Sequence, residues 1–334
     1  MNKENLIEAR FYKKEAVNKV RCVLCPHRCF IPNNRTGICM ARKNVDGILY
    51  TMNYGEVTSY AMDPIEKKPL YHFYPGNEIF SIGTWGCNFK CTFCQNWTIS
   101  QQKVLAENFD KEGIVEMAKA ENSIGIAYTY NEPTIWYEFV YDTAKLAKEN
   151  GLKNVLVTNG FISEEPLKEI LPLIDAMNID LKAGNESFYR ELCSGQLPPV
   201  MRTIKIAFEA GCHIELTTLI IPTLNDRQEE LEGIVNWVAS ISDDIPLHFS
   251  RYFPQYKMDL DPTPIETLLT AYEIGKKKLK YVYLGNVASE VGGANTYCPK
   301  CKNELIHRDF YIVNIKGLNK NICKNCGEKI YGQF

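Results

Sequence analysis

The stretch TWGCNFKCTFCQNW, residues 84–97, carries three cysteines, Cys87, Cys91 and Cys94, with no fourth nearby. A structural tetrahedral metal site takes four protein ligands. Three thiolates suit an iron–sulfur cluster instead. They can hold three irons of a [4Fe-4S] cluster and leave the fourth open to an outside ligand. A structural zinc site with a distant fourth ligand is the alternative, and the surrounding sequence has to choose between them.

Just before the first cysteine, EIFSIGTWG (78–86) reads as a strand. Downstream, strand-like runs alternate with helical ones. SIGIAYTYNEPT (123–134), KNVLVTNG (153–160), AMNIDLKA (176–183), HIELTTLIIP (213–222), IPLHFSRYFP (245–254) and KYVYLGN (280–286) have strand character. KEGIVEMAKAEN (111–122), IWYEFVYDTAKLAKENG (135–151), SEEPLKEILPLI (163–174, with Ser163 as cap), PVMRTIKIAFEAG (199–211), DRQEELEGIVNWVAS (226–240) and PIETLLTAYEIGKK (264–277) have helical spacing. Strands alternating with helices of 10 to 15 residues predict an α/β fold with a mostly parallel sheet. Seven to eight strands admit a partial or a full (β/α) barrel. The cysteine loop then follows the first barrel strand, at the end of the sheet where such folds carry their chemistry.

Three units are expected: an N-terminal helix over about 1–21 with a cysteine-rich module and covering loops to 76, a (β/α) barrel over 77–295, and a small cysteine-bounded module over 296–334. The loop DPIEKKPLYHFYPG (63–76), with His72, is placed to cover the site. The chain has 334 residues with 45% apolar and 23% charged content, and a formal net charge of −2. That balance gives no support for nucleic-acid binding, since phosphate affinity rests on clustered Lys and Arg; GKKKLK (275–280) reads as an exposed helix end. No apolar run is long enough for a membrane span, and the N-terminus lacks the apolar core of a signal peptide.

Thirteen cysteines, an odd number, argue against a simple disulfide framework. Eleven fall into three groups, which points to metal or iron–sulfur ligation in a reducing, cytoplasmic setting. Cys298, Cys301, Cys323 and Cys326 form two CxxC knuckles with the spacing of a zinc ribbon. Cys22, Cys25, Cys29 and Cys39, with His27 among them, could hold zinc or a second iron–sulfur cluster, or pack as reduced thiols. Cys193 and Cys212 stand alone and read as structural. Strand alternation puts Asn178, Asp180 and Lys182 on one side, the lumen of a barrel, where buried charges need partners. His248 is a further candidate for a lumen or substrate role, Thr217 a weaker one, and His213 reads as surface or capping.

Cys-x3-Cys-x2-Cys with Phe93 before the last cysteine resembles the signature of the radical S-adenosylmethionine (SAM) superfamily. The resemblance implies a [4Fe-4S] cluster on Cys87, Cys91 and Cys94 whose open iron is chelated by S-adenosylmethionine, and reductive cleavage of that cofactor to methionine and a 5'-deoxyadenosyl radical. YTYNEPT (128–134) sits where the family has an acidic strand-end motif, so Glu132 would accept from the methionine amino group, with Asn131 and Thr134 nearby. Tyr130 and Asn131 stand where the commonest pattern has glycines. VTNG (157–160) and NIDLK (178–182) resemble strand ends of glycyl-radical-enzyme activases, which implies cofactor contacts from Thr158, Asn159 and Asp180 and a catalytic role for Asp180 and Lys182. Val157 replaces an aspartate often found there.

The whole arrangement, from CxxCPHxC to GN…NTYCPKC, is similar to the AmmeMemoRadiSam system radical SAM enzymes. That implies association with Memo-like and AMMECR1-like proteins, an electron donor, and a substrate the resemblance does not supply. Two other readings stay open. One is an activase that abstracts hydrogen from a protein glycine; the other is a metal-stabilised nucleic-acid or scaffold protein without catalysis.

Overall fold

Residues 6–15 and 17–334 are described by the computed structural model. Eight strands form the central sheet: β1 (Ser59–Pro64), β2 (Glu78–Gly83), β3 (Gly125–Tyr128), β4 (Lys153–Thr158), β5 (Ala176–Asp180), β6 (His213–Ile220), β7 (Leu247–Arg251) and β8 (Val282–Gly285). They pair in chain order, β2 to β8 all parallel and β1 antiparallel to β2. Among the described residues no ladder joins β8 back to β1, so the barrel is partial. The helices between the parallel strands are α1 (Lys111–Ala120), α2 (Tyr137–Glu149), α3 (Glu164–Ile170), α4 (Leu197–Glu209), α5 (Gln228–Ile241) and α6 (Ile265–Lys276). Asp110 caps α1 by accepting from the Gly113 N–H at 2.7 Å. Ser163 occupies the cap position of α3, but its hydroxyl makes no capping bond.

Side chains alternate across the sheet as a pleat requires. Phe80, Ile82, Ile126, Tyr128, Leu156, Met177, Ile179, Leu216 and Phe249 join the core under the helices. Ile79, Ala127, Val155 and Ala176, on the opposite face of the sheet, form a separate lumen core with Ile65, Leu70 and Phe73. The segment Ile65–Tyr74 therefore enters the barrel and fills its floor, opposite the cysteine loop. This corrects the expectation that it covers the site. Its apolar residues have no other large core to join, and its backbone polar groups find partners on the strands. Glu215 of β6 accepts from the N–H groups of Tyr71 (3.0 Å) and His72 (2.6 Å), and the Asn178 side-chain amide donates to the Pro69 carbonyl (2.8 Å).

The N-terminal helix expected over 1–21 is not what the described residues form; residues 1–5 and 16 lie outside them. Ile7–Glu8 pairs with Ile48–Thr51, and Tyr12–Lys14 pairs with Val20–Cys22. Phe11 at φ 57° breaks any helix between those strands, and tertiary pairing outweighs the weak helical propensity of the segment. Downstream, Thr296–Tyr297, Glu304–Asp309 and Ile312–Ile315 form a small antiparallel sheet. Its core residues Leu305, Ile306, Leu318 and Ile330 pack with Tyr281 and Tyr283 of the β8 region. Buried Arg308 donates to the Tyr71 carbonyl at 2.7 Å, so the C-terminal module clamps the floor segment in place.

Candidate active site

The C-terminal ends of β2, β3, β4 and β5 converge on the cysteine loop, the loop being the direct continuation of β2. Cys87, Cys91 and Cys94 lie close enough for each sulfur to feel its neighbours' charge. Donors surround them. Cys87 Sγ accepts from the Phe89 N–H at 3.3 Å and faces the Asn159 amide at 3.8 Å; Cys94 Sγ lies 3.1 Å from the Ser100 hydroxyl. Burial pushes the Cys87 thiol well up, and the sulfur of Cys193 followed by burial does the same at Cys91. Metal-free, these groups favour the protonated form; a bound metal is what holds a coordinating thiol deprotonated. A soft, three-thiolate set lined with N–H and O–H donors fits an iron–sulfur cluster.

The next strand end holds the loop in place. Tyr130 adopts a left-handed conformation, φ 69°. That turn aims the Asn131 side chain at the loop, where it accepts from the Thr84 N–H (3.1 Å) and donates to the Gly86 carbonyl (2.8 Å). The Tyr130 hydroxyl donates to Asp63 at 2.5 Å, an anchor that offsets the cost of the conformation. Asn131, set by the turn at Tyr130, thus braces the cysteine loop.

Glu132 is buried beside it, at 2% exposure. One carboxylate oxygen accepts from the Thr158 hydroxyl (2.7 Å) and the Thr134 N–H (2.9 Å), the other from the Asn159 N–H (2.8 Å). Burial raises its pKa, against those hydrogen bonds. Glu132, Thr158 and Asn159 therefore form one cluster linking the ends of β3 and β4. Asn159 continues it by donating to the Asn88 side chain at 2.8 Å, within the cysteine loop.

Across the site, Lys182 pairs with Asp180 at 2.7 Å. Burial opposes the charge of Lys182, but Asp180, with Cys91 and Cys193 nearby, holds it well above the usual lysine range. Its ammonium also lies 5.9 Å from the centre of the Phe93 ring. The Asp180 side chain is the more exposed of the two, at 37% against 14% for Lys182.

His248 is engaged elsewhere. It is buried and bonds Glu215 at 2.7 Å, with His213 on the other oxygen at 3.0 Å. His213 is therefore buried, not on the surface or at a cap. His72 is fully buried too, between the Tyr331 carbonyl (2.6 Å) and the Tyr283 hydroxyl (2.5 Å). These histidines belong to the floor. Glu215, an acidic residue between the apolar Ile214 and Leu216 in the middle of a strand, was the signal for that network. Sequence reading also missed Asn88, which bridges Asn159 and the Phe161 carbonyl, and Cys193, which lies against Cys91.

The sulfurs of Cys298 and Cys326 lie 3.6 Å apart, and those of Cys301 and Cys323 3.7 Å. All four fall within 4.8 Å of one another. Tetrahedral ligation at ~2.3 Å sets thiolates ~3.8 Å apart, so this group is ready for a single metal ion.

The radical SAM superfamily model matches residues 81–238, which span the cysteine loop and the strand ends around it. Residues 81–238 belong to the radical SAM superfamily. An uncharacterized protein of Methanocaldococcus jannaschii is 50% identical to it over 333 residues, covering 97% of this chain and 98% of its own. Among other superfamily relatives, the pyruvate formate-lyase-activating enzyme of Clostridium pasteurianum is 25% identical over 186 residues, 53% of this chain and 78% of the enzyme. The crystal structure of Streptococcus suis SuiB bound to S-adenosylmethionine shares the fold, with a TM-score of 0.51 at 14% identity over 67% of this chain and 53% of that one. Membership implies a [4Fe-4S] cluster and S-adenosylmethionine, and the thiol set described above fits the former.

Proposed function

We propose that the protein cleaves S-adenosylmethionine reductively and uses the resulting radical to abstract hydrogen from a substrate. The observation that carries this reading is the three-cysteine loop braced by Asn131, Asn159 and Asn88 at the strand ends. Cys87, Cys91 and Cys94 would hold the cluster, which when reduced would supply the one electron needed to break the sulfonium C–S bond of bound S-adenosylmethionine, with methionine and, after hydrogen transfer from the substrate, 5'-deoxyadenosine as the products. Around that chemistry, Glu132, Thr158 and Asn159 order the strand ends on which the cofactor would rest. Asp180 and Lys182 offer a charged pair on the opposite wall for cofactor or substrate. The buried floor closes the lumen from below and excludes water, which a reactive radical requires.

The motif order along the whole chain supports an AmmeMemoRadiSam assignment, with Memo-like and AMMECR1-like proteins as partners, a reducing cytoplasmic setting and a separate electron donor. Zinc fits the ion site of Cys298, Cys301, Cys323 and Cys326, since all four donors are thiolates at tetrahedral spacing. Similarity to a pyruvate formate-lyase-activating enzyme favours a second reading, in which the hydrogen comes from a partner protein's backbone.

The test is release of 5'-deoxyadenosine by anaerobically reconstituted protein under a strong reductant. Wild type is expected to release it, and Cys87→Ala, Cys91→Ala and Cys94→Ala each to lose release entirely. Absence of cleavage in cluster-loaded wild type would remove the enzyme reading. Deuterium transfer into the nucleoside from a labelled partner protein would select the activase reading.

A further inference from the structure

We propose that Cys22, Cys25, Cys29 and Cys39 hold a second [4Fe-4S] cluster, ligated entirely by the protein and set beside the first. Two other cysteine groups in the same chain provide the comparison. The four C-terminal sulfurs have already drawn together at the spacing of a mononuclear site. Among the described residues no other set of three or more His, Cys, Asp or Glu side chains has its ligand atoms within 4.8 Å of one another. The N-terminal four are therefore too widely spread for a preformed single-ion site. Cys87, Cys91 and Cys94 share that wider spread, and theirs is the loop to which superfamily membership assigns a cluster. A polynuclear cluster puts each thiolate on a different iron, so its ligands stand further apart than those of one zinc.

The space between them agrees. The four cysteines line one cavity with Leu24, Ile31, Ile38, His27 and Arg42. Arg42, 1% exposed, lines the same cavity, and its Nε is buried with no hydrogen-bond partner. Glu138 satisfies another nitrogen of the guanidinium. A cluster carrying four thiolates is anionic, and the unpartnered Nε–H is a donor for it.

The cavity abuts the first cysteine loop. His27 Nε2 lies 2.7 Å from the carbonyl oxygen of Asn88, the residue after Cys87. The Cys39 carbonyl sits so close to Gly86 that a side chain there would meet it at 2.6 Å. With four cysteine ligands, no iron is left open for substrate. The assigned role is to pass single electrons from an external donor to the first cluster, with no bond made or broken at the second. The cluster assignment stands without the proposed radical reaction; the relay role rests on it.

The decisive protein is the full chain carrying Cys87→Ala, Cys91→Ala and Cys94→Ala together, reconstituted anaerobically with iron, sulfide and zinc all present. It is expected to keep about four irons and four sulfides and, after one-electron reduction with dithionite, to show an electron paramagnetic resonance signal that S-adenosylmethionine does not change. Wild type should hold twice that iron. Zinc in place of that iron, or no metal at the N-terminal group, overturns the proposal. If the triple variant fails to fold, the wild-type count decides: about eight irons supports the second cluster and about four refutes it. The relay is read in Cys25→Ser/Cys29→Ser, where reduction of the first cluster by reduced flavodoxin should slow at least tenfold. An unchanged rate with that cluster intact overturns the relay and leaves the cluster assignment standing.

Discussion

Glu132 carries more of the site's order than any other single side chain. Its carboxylate satisfies three donors from two segments, the Thr134 N–H, the Thr158 hydroxyl and the Asn159 N–H. Removing one partner of a buried hydrogen bond costs the desolvation of whatever is left unpaired. Glu132→Ala is therefore expected to lower stability by about 3 kcal/mol, because Asn88 and the cysteine loop depend on Asn159 as well. The midpoint of urea unfolding measures it, and an unchanged midpoint would show that water replaces the carboxylate at no cost. The residue type was legible in YNEPT; its bonding was not, because all but one of its donors come from a strand end more than 20 residues away. His248 went the other way: its pattern pointed to the active site, and its partner Glu215 holds it in the floor.

At the scale of elements, the three cysteine groups differ in how much fold supports them. The loop after β2 is held by neighbouring strand ends. The C-terminal module has a small core, and its Cys298 and Cys323 are themselves part of it. Ligation energy should supply much of its folding energy. Stripping the ion from Cys298, Cys301, Cys323 and Cys326 with a chelator is expected to open residues 296–334 to protease. Because Tyr281 and Tyr283 share that core, amide exchange in β8 should rise too. Resistance unchanged after verified metal loss would show that packing alone holds the module.

For the molecule as a whole, the floor segment joins barrel and C-terminal module into one body. Glu215 of β6 binds its backbone, Tyr331 and Arg308 bind it from the other side, and His72 sits at the centre. Burial lowers the His72 pKa to about 4. In the unfolded chain the imidazole takes up a proton below about pH 6.5; in the folded one it resists until about pH 4. The contribution of His72 to stability is thus fully present above pH 6.5 and lost as pH falls through that window. Unfolding midpoints at pH 7.5 and 5 should differ in that direction, by up to about 3 kcal/mol at the acid limit. His72→Gln should flatten the dependence, and a variant with the slope of wild type would assign it to other groups.

The sequence by itself determined the parallel α/β architecture, since alternating strand and helix periods leave few other ways to bury both kinds of apolar face. It also determined the three-cysteine loop at a strand end and the paired knuckles at the C-terminus, because ligand spacing within a short segment is local. Only the tertiary structure decided the rest. The strands at 7–8 and 12–14 exist through partners at 48–51 and 20–22. Residues 65–74 became a floor because the lumen offered the apolar surface and the hydrogen-bond partners they needed. The spread of the N-terminal thiols is likewise a three-dimensional fact, set by packing against the loop of Cys87. Contacts between distant segments follow from which surfaces remain unburied after local structure forms, and no local period records that.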